Sequence, residues 1–181
     1  YKPENGAVYP NTDFGRSMTQ IAQLIKAGIG LEVAFTDTGN EIRWDTHVQE
    51  GGSRGQLGNY LRTYGQALAA FSTDLGKRMD DVLVVTMSEF GRTARENGSR
   101  GTDHGHANQM LIMGNSVRGG KVYTDWKGLR SDQLNEGRDL ALTTDFRDVF
   151  SEAAAKHLGS SDLAKIFPGY QASPSKFRGY L

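Results

Sequence analysis

VLVVTMSEFGRTARENGSRGTDHGH, residues 82–106, joins a strongly apolar run to a polar loop that is rich in glycine. The apolar run, residues 82–86, is short and largely β-branched, and it therefore predicts a buried strand. The loop ends in Thr-Asp-His-Gly-His at residues 102–106. Acidic and imidazole side chains thus follow the carboxyl end of a predicted strand, where α/β folds commonly bind ligands and metals.

Composition excludes several classes of function. The 181 residues carry 21 basic and 21 acidic side chains, so the formal net charge is zero, and no basic run offers an electrostatic surface to nucleic acid. No apolar run approaches the roughly 20 residues that a membrane-spanning helix needs. The absence of cysteine excludes disulfides and thiolate metal sites. Because the chain begins at Tyr1, we expect it to be a processed product or a segment of a longer polypeptide.

The order of predicted elements indicates an α/β fold. Apolar residues at spacings of three and four predict long helices, and short apolar runs between them predict strands. We therefore expect a mainly parallel sheet covered by helices on both faces, with residues 1–170 forming one α/β domain or the C-terminal part of a larger one, and with a polar tail at 171–181. The predicted helices are 12–27, 56–79, 145–158 and a turn within 161–167, and the predicted strands are 31–36, 82–86, 107–113, 121–123 and 140–143.

Asp45 and His47 form the first candidate pair of metal ligands. One residue separates them, which places both side chains on the same side of an extended segment. A carboxylate and a neutral imidazole are good ligands for zinc, manganese or iron. The alternative is an ordinary solvated loop.

A denser candidate group lies at Asp103, His104 and His106. Gly101 precedes the group and Gly105 separates its two histidines, and both glycines permit unusual backbone angles. His104 and His106 could then bind one metal while Asp103 ligates it or orients an imidazole ring. The alternative is a surface loop in which these side chains cap the next strand.

Glu89 and Arg92 follow the strand predicted at residues 82–86. Glu89 is either a metal ligand or a strand-end acid that bonds a helix terminus or an arginine. Arg92 is a candidate catalytic residue that would hold a phosphate or sulfate, or it pairs with Glu89 or Asp103. Ser88 lacks a GxSxG context, so a serine-hydrolase triad is not expected.

Five stretches of the sequence carry a resemblance to a known family. They are YPNTDFGRSMTQIAQLIKAGIGLEVAF (9–35), WDTH (44–47), VVTMSEFGRTARENGSRGTDHGHAN (84–108), GNSVRGGKVY (114–123) and TTDFRDVFSEAAAKHLG (143–159). In these stretches the chain resembles the domain of unknown function 1501 family. Those proteins are exported by bacteria with a twin-arginine signal and are related to the alkaline phosphatase and sulfatase superfamily.

The resemblance implies a metal-dependent hydrolase of phosphate or sulfate esters that is periplasmic or secreted. Asp45 and His47 match an early ligand pair, Glu89 a strand-end acid and His104 a later ligand. The expected cofactor is a divalent metal, zinc first, with manganese or calcium as alternatives. Phe90 stands where the superfamily often has histidine, which implies a single-metal or altered second site.

The resemblance also leaves other functions open. In the superfamily the nucleophile comes from an N-terminal half, which this chain is expected to lack. The partners implied are therefore an ester substrate and that missing half of the same polypeptide. One alternative is a non-catalytic exported protein of the same fold, used for binding or assembly. Another is a cytosolic metal-dependent mutase.

Overall fold

The first helix, α1 (Asp13–Lys26), forms where the sequence predicts it. In the computed structural model, which describes residues 1–181, Thr12 is extended and its hydroxyl accepts a hydrogen bond from the backbone N–H of Gly15 at 3.1 Å. This cap satisfies one of the donors that a helix start leaves free. Asp13 in the first turn and Lys26 in the last complement the helix dipole.

Helix α2 (Gln56–Leu75) packs against α1 and encloses a small core. Phe14 stacks on Tyr64 with ring centroids 5.1 Å apart. The α-helix predicted to reach Met79 ends at Leu75. A 3-10 helix (Gly76–Asp81) continues the chain from there. The buried apolar residues of the two helices recur at helical spacing: Phe14, Met18, Ala22, Ala67, Ala70, Phe71 and Leu75.

The chain divides into two compact units that are each discontinuous in sequence. The first unit comprises Tyr1–Met79 and Arg95–His104, and the second comprises Asp80–Ala94 and Gly105–Leu181. Helices α1 and α2 belong to the first unit. No helix of the chain is both long enough and apolar enough to cross a membrane.

The predicted parallel sheet is wrong. Strand β1 (Val84–Val85) pairs antiparallel with β4 (Ile112–Met113), and β2 (Gly91–Arg92) pairs with β3 (His104–Gly105). The run at 82–86 is half-buried throughout and is not enclosed on both faces by helices. Each apolar run has strand-like composition, but a sheet also needs neighbouring strands in register. Only two two-residue ladders meet that condition here.

Three other predicted strands are not observed: residues 31–36, 121–123 and 140–143 lie outside any sheet. The first of them departs most from expectation. Residues 30–39 run without a turn or bend, and Val33 is 68% and Phe35 98% exposed. The backbone of residues 29–36 makes no hydrogen bond to other backbone groups. The run therefore has the apolar alternation of a strand without a partner.

The second unit is organised around α3 (Phe146–Lys156), which precedes a short α4 (Leu163–Ile166). Glu152 on α3 is fully buried and accepts the backbone N–H groups of Gly179 and Leu181 at 2.8 and 3.1 Å. Burial alone would raise the pKa of Glu152, but these two N–H groups and Lys156 outweigh it and lower the pKa. The polar tail thus ends in a segment fixed to α3, where Tyr180 is 1% exposed.

Candidate functional site

Two segments of the first unit, residues 45–50 and 97–104, lie side by side and form the candidate site. Val48 and Arg100 form an antiparallel bridge, and the N–H of Thr102 donates to the carbonyl of Thr46 at 3.1 Å. Gly101 permits this approach because a Cβ at that position would lie 2.2 Å from the carbonyl carbon of His47. Glycine is therefore required at the contact between the two segments.

The segment that carries Asp45 and His47 alternates between buried and outward-facing residues. Ile42 and Thr46 are buried, whereas Asp45 and His47 remain partly accessible to solvent. Trp44 fixes the segment, because its ring meets Tyr64 edge-on at 5.5 Å. The one-residue spacing thus places Asp45 and His47 on a common face, as the sequence predicts.

Asp45, His47 and His104 converge on one another. Oδ1 of Asp45 lies 2.8 Å from Nε2 of His47 and 2.7 Å from Nε2 of His104. One ligand atom from each residue lies within 4.8 Å of the other two. The side chains are 43–51% exposed, so the group faces solvent and is open to an incoming ion or substrate.

Asp103 holds the opposite edge of the His47 ring. Its Oδ1 lies 3.0 Å from Nδ1 of His47. When Nδ1 of a neutral imidazole donates to this carboxylate, Nε2 carries a lone pair directed at the Asp45 oxygen. Two lone pairs at hydrogen-bond distance repel unless a proton or a cation lies between them. The arrangement therefore suits either a proton or a metal cation between Nε2 and Asp45, with Asp103 orienting the ring from its other edge.

The spacing of the three ligand atoms is compatible with a metal ion after a small adjustment. Zinc bonds of about 2.0–2.1 Å in a tetrahedron separate neighbouring ligand atoms by about 3.3 Å. The contacts of Asp45 to the two imidazoles are about half an ångström shorter than that. Because the side chains are half-exposed, rotation about their own bonds can open these distances. Three protein ligands leave a position for water or substrate.

The other predicted site residues lie in the second unit, and their proposed roles stay predictions. Glu89 is exposed in the loop after β1, and His106 is exposed directly after β3. Arg92 lies in β2 with its guanidinium carbon 5.9 Å from the ring centroid of Phe90. The three-residue group contains none of these side chains.

Asn97 is a site residue that the sequence analysis did not single out. Its amide connects the turn at residues 97–101 to both His47 and Asp103. The stretch Asn-Gly-Ser-Arg-Gly at 97–101 is typical of a turn in which an asparagine side chain bonds nearby backbone groups. That pattern predicts the turn, but not the contact with His47, which lies 50 residues earlier in the chain.

Comparison with known proteins identifies the family. No curated protein and no solved structure matches the chain. A family model does match it, over residues 3–166, and that model is described as "Protein of unknown function (DUF1501)". The match spans both segments of the candidate site. The chain therefore belongs to the domain of unknown function 1501 family.

Proposed function

We propose that the protein is a metal-dependent hydrolase of phosphate or sulfate esters, with the metal held by Asp45, His47 and His104. The proposal is supported above all by the convergence of one carboxylate oxygen and two imidazole nitrogens within 4.8 Å. The orientation of His47 by Asp103 adds to it, because metal-binding histidines usually donate their other ring N–H to such a partner.

The donor set favours zinc over the alternatives. Two imidazoles and one carboxylate match the ligands of many catalytic zinc sites. Manganese also accepts imidazole together with carboxylate and is the second candidate. Calcium binds through six to eight oxygen ligands and suits two imidazoles poorly. Zinc is therefore the first ion to test.

The residues of this chain would contribute binding and orientation. Bound at the site, a divalent metal would polarise an ester oxygen and stabilise the charge of the transferring group. The resemblance gives Arg92 an anion-binding role and Glu89 a metal-ligand role, although neither side chain belongs to the three-residue group. The nucleophile would come from another segment of the same polypeptide, and the protein would act in the periplasm or outside the cell. These roles rest on the resemblance to the alkaline phosphatase and sulfatase superfamily.

The first experiment measures metal binding before catalysis. Isothermal titration of the metal-free protein with Zn²⁺ should give one site per chain, and His104→Ala should weaken binding at least tenfold, because one of three ligands is lost. His157→Ala is the matched control, since His157 ends helix α3 and lies outside the ligand group. Equal Zn²⁺ affinity in wild type and His104→Ala would refute the site.

Hydrolysis is tested separately on aryl phosphate and aryl sulfate esters. Zn²⁺, Mn²⁺ and Ca²⁺ are added one at a time to the longest natural form of the protein. We expect turnover that depends on metal and is lost in His104→Ala. Metal binding without turnover of either ester would contradict the hydrolase proposal and favour a non-catalytic role.

A non-catalytic exported protein for binding or assembly is the second candidate. One observation favours it: residues 29–36 make no hydrogen bond to other backbone groups, and their side chains Ile29, Val33 and Phe35 are 64%, 68% and 98% exposed. Exposed apolar groups of this kind are typical of surfaces that meet a partner. In that case the metal would order the two site segments rather than act on a substrate.

A further inference from the structure

The side chain of Asn97 joins the candidate metal site to the turn beside it. Its Oδ1 accepts the backbone N–H groups of Ser99 at 2.9 Å and Gly101 at 3.0 Å. Its Nδ2 donates to the carbonyl of His47 at 3.0 Å and to Oδ1 of Asp103 at 2.9 Å. The two ends of the amide therefore have separate partners.

The hydrogen-bond partners also determine which atom of the Asn97 amide is the oxygen and which is the nitrogen. Backbone N–H groups can only donate, so they must face the amide oxygen. The His47 carbonyl and the Asp103 carboxylate can only accept, so they must face the amide nitrogen. Because Asn97 is half-buried between these four groups, reversing the amide would lose all four hydrogen bonds. The side chain is thus held in one orientation.

We propose that Asn97 is a positioning residue of the metal site, and this inference rests on the proposed metal-binding function. Asn97 does not belong to the ligand group. Its N–H fixes the carboxylate of Asp103, and the same Asp103 oxygen meets Nδ1 of His47. The chain of contacts sets the ring so that Nε2 faces Asp45 and His104.

The substitution Asn97→Asp removes the amide N–H donor of Asn97 and keeps the oxygen that bonds the turn. Aspartate keeps an oxygen that accepts from Ser99 and Gly101, so the turn retains its two hydrogen bonds. It replaces the N–H donor with a second carboxylate oxygen, which cannot bond the His47 carbonyl and which repels the carboxylate of Asp103. Asp103 then moves away from His47, and the ring loses its orientation.

The direction of the change in metal affinity distinguishes a positioning role of Asn97 from the electrostatic effect of an added negative charge. A negative charge added near a cation site strengthens cation binding if nothing else changes. Loss of an orienting partner weakens it, commonly 10- to 100-fold. We expect Asn97→Asp to lower Zn²⁺ affinity at least tenfold in calorimetric titration. The control is Asn59→Asp, which makes the same change of charge on α2, where Asn59 accepts from Arg62.

A swap variant tests the contact itself. In Asn97→Asp with Asp103→Asn, residue 103 supplies the N–H and residue 97 the carboxylate, while the amide oxygen at 103 can accept from His47. We expect this double variant to recover part of the affinity lost in Asn97→Asp. No recovery, with both variants folded by circular dichroism, would count against the Asn97–Asp103 contact.

The ring nitrogens of His47 give a readout that needs no metal. In long-range ¹H–¹⁵N spectra of the metal-free protein, we expect Asn97→Asp to shift the Nδ1 resonance of His47 and to leave that of His157 unchanged. If wild type binds no Zn²⁺ but this shift occurs, the metal function fails while the positioning role stands. An unchanged His47 resonance together with unchanged or tighter Zn²⁺ binding would overturn the inference.

Discussion

Asp74 fixes the N-terminal segment of the first unit. Its fully buried carboxylate accepts from the hydroxyls of Tyr1 and Tyr9 at 2.6 and 2.9 Å, from Lys26 Nζ at 2.5 Å and from the N–H of Glu4 at 2.6 Å. Burial alone would raise the pKa of Asp74, but these donors outweigh it and lower the pKa to about 2. A buried charge is tolerated here because donors satisfy both of its oxygens.

Replacing Asp74 should destabilise the first unit. Asp74→Asn removes the buried counter-charge of Lys26, whose side chain is 8% exposed, and leaves it only the half-exposed carboxylate of Glu4 at 3.3 Å. Breaking a buried pair from one side costs about 3–5 kcal/mol, so we expect a loss of that order in the free energy of unfolding. Urea denaturation followed by circular dichroism measures it. Tyr9→Phe, which removes a single hydrogen bond, should cost about 1 kcal/mol; a similar value for Asp74→Asn would contradict this account.

The same carboxylate should make stability depend on acid pH. The pKa of Asp74 is lower in the folded protein than in the unfolded chain, so its contribution is complete above about pH 4 and is lost as pH falls toward about 2. A shift of this size corresponds to about 2 kcal/mol. Urea unfolding of wild type at pH 7, 4, 3 and 2 should show the decline. The decline should be smaller in Asp74→Asn, and parallel pH curves would exclude Asp74 as its source.

At the scale of elements, the turn at 97–101 is coupled to the segment that carries His47. Gly101 lies against the His47 carbonyl, where a Cβ would be 2.3 Å from the oxygen. Gly98 lies in the same turn, and a Cβ there would meet nothing within 4 Å. Neither glycine is among those with positive φ, so the two positions differ in space rather than in backbone strain.

Gly101→Ala should therefore separate the two segments. We expect about 1–3 kcal/mol of destabilisation from the steric overlap and a clear loss of Zn²⁺ affinity, because Asp103 and His104 follow directly in the chain. Gly98→Ala is the matched control and should change neither quantity measurably. Thermal unfolding and calorimetric titration provide the two measurements. Identical behaviour of the two variants would show that close approach at Gly101 does not hold the site together.

At the scale of the whole molecule, the run at residues 30–39 is an unusual surface feature. Its apolar side chains Val33 and Phe35 face solvent, Leu31 is half-buried, and its backbone joins no sheet. Unpaired strand-like segments are prone to associate with other strands. We therefore expect the segment to contribute little to the stability of the first unit and to promote association between chains.

Hydrogen exchange tests this view of the segment. Backbone amides of residues 31–36 should exchange without protection, whereas those of α2 should be protected, because the former have no backbone partner. Phe35→Ser should leave the unfolding midpoint unchanged, since a residue 98% exposed loses no packing, and should reduce aggregation measured by light scattering. Strong protection at residues 31–36 would show that the run is paired in solution.

Helices were the predictable part of this protein. Thr12 as a cap, the apolar spacing of Phe14, Met18 and Ala22, and the glycine after the helix all act within a few residues. Local periodicity and capping carry that information in the sequence itself. The face shared by Asp45 and His47 was predictable for the same reason, because alternation is also a local property.

Sheet pairing and the completion of the site depended on tertiary structure. The sequence by itself determined which residues could serve as ligands, and it determined the helices through local hydrogen bonds and spacing. Only the tertiary structure decided that residues 31–36 stay unpaired, that His104 meets Asp45 across 59 positions, and that Asn97 holds Asp103 beside His47. These contacts join distant segments, and pairing of that kind depends on which backbones come into register rather than on the composition of either segment.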